Sequence, residues 1–378
     1  MALGIALTDI GQKTVKAGQA LPVTVSARPG TVKAGAELVL LWADILLVLT
    51  CSLLHFLRGT EHNGGLHGGL TLAFFFIAGF TTNLFHYFRH ESQRMAQRTA
   101  CQKVTKILLI LLPCYYLVLW SFMSCTRTDS LTIKCWTASL RLFYCSLGSL
   151  VQAVFQSYVV IDLWYLPEGT IPDAHYVLVM AAAVFLTLHA VYGVCRYTWI
   201  NYHDEMHLYM LPWNFICIIF VLFFNISGRV VAMAIVTGTV GGWWLVLAVG
   251  VPFLINYAAY SYEASKADTT GHDVCRYVFL VPLALLSAIT VSDQRVLTVI
   301  TTLTWLACSL PHIIRYHQEV SNWLPWVIPA VAQIVALLTM MIKWSVFEAT
   351  FQRFPRLARF NQWTAVPTKE NLKPYETA

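Results

Sequence analysis

ELVLLWADILLVLTCSLLHFL, residues 37–57, is a run of 21 residues with one acid at its edge, Glu37, and one well inside it, Asp44. A helix rises about 1.5 Å per residue, so a run of this length matches the roughly 30 Å hydrocarbon core of a bilayer. Runs of the same kind recur along the chain, at 66–88, 104–123, 138–163, 176–195, 211–235, 241–262, 276–291, 296–314 and 323–342. Bulk composition agrees: 57% of the 378 residues are hydrophobic and 12% are charged, where soluble domains average about 25% charged. Mean hydropathy is +0.62. The chain therefore reads as an all-α polytopic membrane protein. No secretory signal is expected, because residues 1–9 lack a basic segment and run into a polar stretch from 11 to 35. The net charge of +6 is spread over tails and short loops, the pattern that orients membrane helices and not one that grips nucleic acid.

Not every run need cross. The segment 277–291 is 15 residues long and reaches only about 22 Å, with Pro282 near its middle. Segment 104–123 is longer but also carries a central proline, Pro113. Lysine and arginine gather on the cytosolic side and so discriminate between schemes. If all ten segments cross, 16 lie inside and 8 outside; if segments three and eight dip in and return, 22 lie inside and only Arg58 and Arg315 outside. The re-entrant scheme predicts eight membrane-spanning helices plus two re-entrant helical hairpins, both termini cytosolic. Residues 1–35 form an N-terminal tail, 36–343 the membrane domain, and 344–378 a C-terminal tail. The membrane domain divides into two pseudo-repeated halves, about 36–200 and 201–343, each a span, span, hairpin, span, span. Repeats of this kind are common in transport folds, with the working site between them.

No enzyme motif survives inspection, and neither cofactor nor metal is expected. His203-Asp204-Glu205-Met206-His207 has two histidines at i, i+4 but not the HExxH order of zinc proteases, and a solvated loop explains it better. The ten cysteines fall in spans, hairpins or cytosolic loops, where they read as reduced packing residues. Ionisable residues within the spans are the stronger signal, since each costs about 2.5–3.5 kcal/mol or more at mid-depth unless paired or hydrated. Asp44 and Arg229 are expected to face a shared interior, either as a structural ion pair or as a polar lining for headgroups or ions. Arg141, near the start of the fourth segment, is expected to snorkel to the cytosolic surface. Glu37 and Asp162 sit near interfaces and need no role.

Leu140-Arg141-Leu142-Phe143, followed by Leu147, Ser149 and Gln152, resembles the LRLFExFLExxPQL signature of the XK/XK-related family. Further features follow in that family's order. Trp42-Ala43-Asp44-Ile45 resembles its acidic first helix, Leu112-Pro113-Cys114-Tyr115-Tyr116 its first hairpin, and Gly228-Arg229-Val230-Val231-Ala232 its intramembrane arginine. Cys275-Arg276-Tyr277 through Val291-Ser292-Asp293-Gln294-Arg295 resembles its second hairpin. The resemblance covers about 36–345. Departures are specific: Tyr144 and Gly148 stand where the family has glutamates, Val151 where it has proline and Thr290 where it has asparagine. No His-Pro follows Trp344. The resemblance implies a divergent member at the plasma membrane that acts on membrane phospholipids as a scramblase. Asp44, Arg229, Arg141, Gln152 and Asp293 are its lipid-path or ion-pair candidates. Two other readings stay open: a non-transporting adaptor that docks a lipid-transfer or other membrane partner protein, and an unrelated transporter. The stretch 343–378 holds no aspartate, so activation by caspase cleavage of this tail is not expected.

Overall fold

The computed structural model describes residues 29–58, 63–87, 99–126, 131–164, 173–199, 212–240, 242–267 and 299–307, with isolated positions between 281 and 341. Every regular element among them is helical: α1 (Pro29–Leu57), α2 (Gly64–His86), α3 (Ala100–Leu111), α4 (Tyr115–Thr126) and α5 (Leu131–Tyr144). A π-helical turn (Cys145–Ser149) carries α5 into α6 (Leu150–Trp164), and α7 (Asp173–Trp199), α8 (Pro212–Val240) and α9 (Gly242–Ala267) follow. Among the described residues, four stretches are long and apolar enough to cross a membrane: Lys33–Leu57, Gly64–His86, Ile133–Ile161 and Ala174–Tyr197. The chain is thus an integral membrane protein. The bent pair α3–α4 raises the number to five if counted as one span, and α8 contains a shorter apolar stretch, Ile219–Ala234. The second expected hairpin and the last two expected spans lie largely outside the described residues, as do the tails and the His203–His207 motif.

Helix α1 is built inside out relative to a soluble helix. Val39, Trp42, Leu46, Leu49, Leu53 and Phe56 are exposed along one stripe, where only lipid can satisfy them. Glu37, Asp44, Ser52 and His55 are buried along another. Placing polar groups at helix contacts and apolar groups outward is what a bilayer selects for. Helix α7 repeats the pattern, with Val177, Met180, Val184 and Leu188 exposed and His175, Thr187 and His189 buried.

Small residues let these helices approach closely. A Cβ on Gly193 of α7 would lie 2.5 Å from Cys145 Sγ, so only glycine allows α7 to press against the π turn. A Cβ on Gly79 of α2 would meet the Cys114 nitrogen at 2.8 Å, where α2 touches the turn between α3 and α4.

That turn bends the chain by 96°. Pro113 has no N–H and pushes Leu112 into an extended conformation, ψ 114°, which ends α3. Cys114 then adopts φ 60°, unusual for a residue with a Cβ. Asn83 of α2 compensates for the interrupted ladder. Its amide donates to the Ile110 carbonyl at 3.0 Å and to the Leu112 carbonyl, and its oxygen accepts from the Tyr116 N–H at 3.1 Å. Non-helical backbone survives at membrane depth where protein groups satisfy it in this way. The start of α3 is secured by a capping box, in which Thr99 and Gln102 bond each other's backbone N–H groups.

Candidate functional site

The polar face of α1 meets α5–α6 on one side and α7 on the other, forming three tiers. In the first, Glu37 is shared by two arginines. Arg141 Nη1 lies 3.3 Å from Glu37 Oε2 and its Nη2 donates to the Glu37 carbonyl at 3.0 Å. Arg196 Nε of α7 lies 2.7 Å from Glu37 Oε1. The guanidinium of Arg141 also packs over the Tyr192 ring, 5.6 Å from its centroid.

The second tier lies two turns along. Ser149 Oγ donates to Asp44 Oδ2 at 2.7 Å, and His189 Nδ1 bonds the same carboxylate oxygen. Ser149 Oγ and His189 Nδ1 are 3.2 Å apart, closing the triangle. A serine, a histidine and an aspartate in contact invite comparison with a hydrolytic triad, but the wiring differs. In a triad the imidazole stands between serine and carboxylate and uses one nitrogen for each. Here both meet Nδ1, and the serine bonds the carboxylate directly.

The third tier lies at the other end of α1. His55 Nε2 is 3.0 Å from Gln156 Oε1, and Gln156 Nε2 donates to Thr71 Oγ1 at 3.1 Å. Gln152 Nε2 donates to the Thr71 carbonyl at 2.6 Å. The imidazoles of His67 and His175 flank His55, with ring centroids 5.9 and 5.4 Å away. Ser52 Oγ reaches across to the Gly68 carbonyl at 2.9 Å.

Spacing explains the alignment. Glu37 and Asp44 are seven residues apart, two helical turns, as are Arg196 and His189 on antiparallel α7. Arg141 and Ser149 are eight apart. On an uninterrupted helix at about 100° per residue, Ser149 would point about 80° away from Arg141. The π turn Cys145–Ser149 absorbs one extra residue and returns Ser149 to the same face. From Glu37 to His55 the column extends over 18 residues, about 27 Å, close to the thickness of a hydrocarbon core.

The candidates read from sequence are placed differently from expectation in two respects. Arg141 does not snorkel; it is fully buried, because Glu37 one helix away neutralises it. Asp44 and Arg229 are both fully buried but do not pair. Asp44 is taken by His189 and Ser149, while Arg229 of α8 donates to the Ala288 carbonyl at 3.0 Å and to Thr302 Oγ1 at 3.1 Å. Trp305 Nε1 donates to the same Ala288 carbonyl at 3.1 Å. Gln152 lies in the column, and Asp293 lies outside the described residues. Glu37, His189, His55 and Gln156 were missed as site residues; the signal for two of them was heptad spacing, Glu37 from Asp44 and His189 from Arg196. Tyr144 and Gly148, the positions that depart from the family signature, are both buried beside the second tier, with Gly148 packed against Ala78 and the Tyr144 ring. Among the described residues no cluster of three or more histidine, cysteine or acidic side chains has metal-binding geometry, and the described cysteines are free thiols. No protein-family model matches the chain, and no curated protein matches it.

Proposed function

We propose that this chain is an XK-related-like plasma membrane protein that moves phospholipids between leaflets along the column formed by α1, α5–α6 and α7. The column carries the reading: polar and charged groups stacked through about 27 Å let a headgroup cross without losing all of its polar contacts, while the acyl chains stay in lipid. The cost of holding Asp44, Arg141 and Glu37 at depth is hard to justify for packing alone.

The topology of this proposal is eight crossings, two re-entrant hairpins and cytosolic termini. Support for the first hairpin comes from helix direction. Glu37, Asp44 and His55 meet Arg141, Ser149 and Gln156 in the same order, so α1 and α5–α6 run parallel. Ser52 near the end of α1 meets Gly68 near the start of α2, so α2 runs back. A chain that goes out along α1 and returns along α2 must start α5 from the side it returned to, which leaves α3 and α4 no net crossing. Each of these helices is 12 residues, about 18 Å, too short to span alone.

The second reading, a membrane adaptor that docks a lipid-transfer or other partner, draws on one observation: within each tier the polar groups bond one another across helices, as a structural staple would. Reconstitution into liposomes carrying dye-labelled phospholipid, with a membrane-impermeant quencher added outside, separates the two. Lipid movement predicts that dye in both leaflets is bleached. Protection of the inner-leaflet dye, equal to that in protein-free liposomes, would sink the scrambling reading and leave the adaptor.

A further inference from the structure

We infer that α3 lies flat in the cytosolic membrane interface, its apolar edge docked into the boundary between lipid headgroups and acyl chains. The first hairpin then has one upright limb, α4, and one limb in the plane of the leaflet; the proposed topology supplies only which leaflet this is. Helix direction carries the inference. Cys114 shares a hydrogen bond with Tyr144, and the Thr137 hydroxyl donates to the Trp120 carbonyl at 3.1 Å. Six residues along α4 thus match seven residues back along α5, so the two helices are antiparallel. Helix α5 belongs to the spanning stretch Ile133–Ile161, so α4 stands upright beside it. The turn at Pro113 and Cys114 swings α3 through 96°, nearly square to α4. Spanning helices tilt by about 20° on average, so α3 lies within roughly 30° of the membrane plane.

Depth and side-chain pattern agree with that orientation. The turn meets α2 at Gly79 and Asn83, seven and three residues before the end of its spanning stretch at His86, or about 10 and 5 Å in. Amphipathic helices rest at this depth, between headgroups and acyl chains. Val104, Ile107, Leu108 and Leu111 recur at i, i+3, i+4 and i+7, and each is more than half exposed. At about 100° per residue, the exposed Gln102 and Thr105 and the half-buried Lys106 fall on the opposite arc. Ile110 lies to one side of both arcs and is buried against the protein, where its carbonyl accepts from Asn83. An upright limb surrounded by hydrocarbon has no use for an exposed polar arc. A helix lying in the interface needs one, with an apolar arc opposite.

The test uses the full-length chain reconstituted into liposomes. A fluorescent amino acid, introduced by stop-codon suppression, replaces Gln102, Thr105, Ile107, Leu108 or Leu111 one at a time, so every native cysteine stays in place. All five side chains are exposed, so the fold should tolerate the probe. Its quenchers are iodide on both sides of the bilayer and phospholipids carrying a nitroxide near the glycerol or near the chain end. Iodide is expected to quench at Gln102 and Thr105 several-fold more than at Ile107, Leu108 and Leu111. At these three the shallow nitroxide should quench more than the deep one. A steady passage along the chain, from iodide at Gln102 to the deep nitroxide at Leu111, would mean a descending limb and overturn the inference. Strong iodide quenching at all five positions would place α3 off the membrane and overturn it equally. Whether α3 and α4 return to the cytosolic side is read separately by labelling at Ser130, so the two readings fail independently.

Discussion

Replacing Glu37 with glutamine removes the one carboxylate that two arginines share. Arg141 keeps its bond to the Glu37 carbonyl but loses its counter-charge, and its side chain is 1% exposed, so water cannot substitute. Stranding a buried charge by deleting its partner costs about 3–5 kcal/mol. Arg196 is 11% exposed and reaches water more readily than Arg141, but it too loses its partner and adds to this cost. A loss of roughly 4 kcal/mol at about 2–4 °C per kcal/mol lowers the unfolding midpoint by on the order of 10 °C. The assay is fluorescence-detected thermal unfolding in detergent of wild type, Glu37→Gln, Arg141→Gln and the double mutant. Glu37→Gln strands Arg141, a cost that is gone once Arg141 is itself replaced, so the double should be more stable than additivity predicts by about 2 kcal/mol. Arg141→Gln alone costs less, because Glu37 keeps Arg196. Strict additivity, or a Glu37→Gln protein that melts with wild type, would refute the paired first tier.

Gly193→Ala forces a methyl to within 2.5 Å of Cys145 Sγ and should cost about 1–3 kcal/mol by the same melting assay; Cys145→Gly in the same chain should recover much of it. Asn83→Leu removes three hydrogen bonds from the α3–α4 turn, so a loss of roughly 2–3 kcal/mol and faster alkylation of Cys114, now fully buried, are expected. A cysteine placed at Ser130 in a cysteine-free background should resist impermeant maleimide on intact cells and react after permeabilisation. Labelling on intact cells would contradict a hairpin that returns to the cytosolic side.

The spans were legible because a membrane imposes length and apolarity directly on sequence: the runs 37–57, 66–88 and 176–195 fall within α1, α2 and α7 or end within two residues of them. The break at Pro113 was legible for the same local reason, the missing N–H. Partnership was not. Arg141 lies close enough to the start of its run to reach the surface, and nothing local reveals that Glu37 sits opposite it. Asp44 and Arg229 attracted each other on paper as the two deepest opposite charges, yet His189 and Ser149 lie on nearer helices. Ser149 was hidden further by its eight-residue spacing from Arg141, which points off the polar face unless the helix inserts a π turn. A wide turn of this kind comes from packing against Gly193 and the other helices, and it leaves no mark in hydrophobic periodicity.

The column itself is tested most directly by comparing transbilayer rates of labelled phospholipid in liposomes containing wild type or Gln152→Leu. The change conserves volume, and the Thr71 carbonyl it releases belongs to a helical ladder, so the unfolding midpoint should hold. It nevertheless removes from the third tier one of the polar groups that a passing headgroup would bond. The account predicts a rate at least about tenfold slower than wild type, equivalent to about 1.4 kcal/mol on the barrier. Equal rates in the two proteins, at equal reconstituted amounts, would contradict a lipid path along this column.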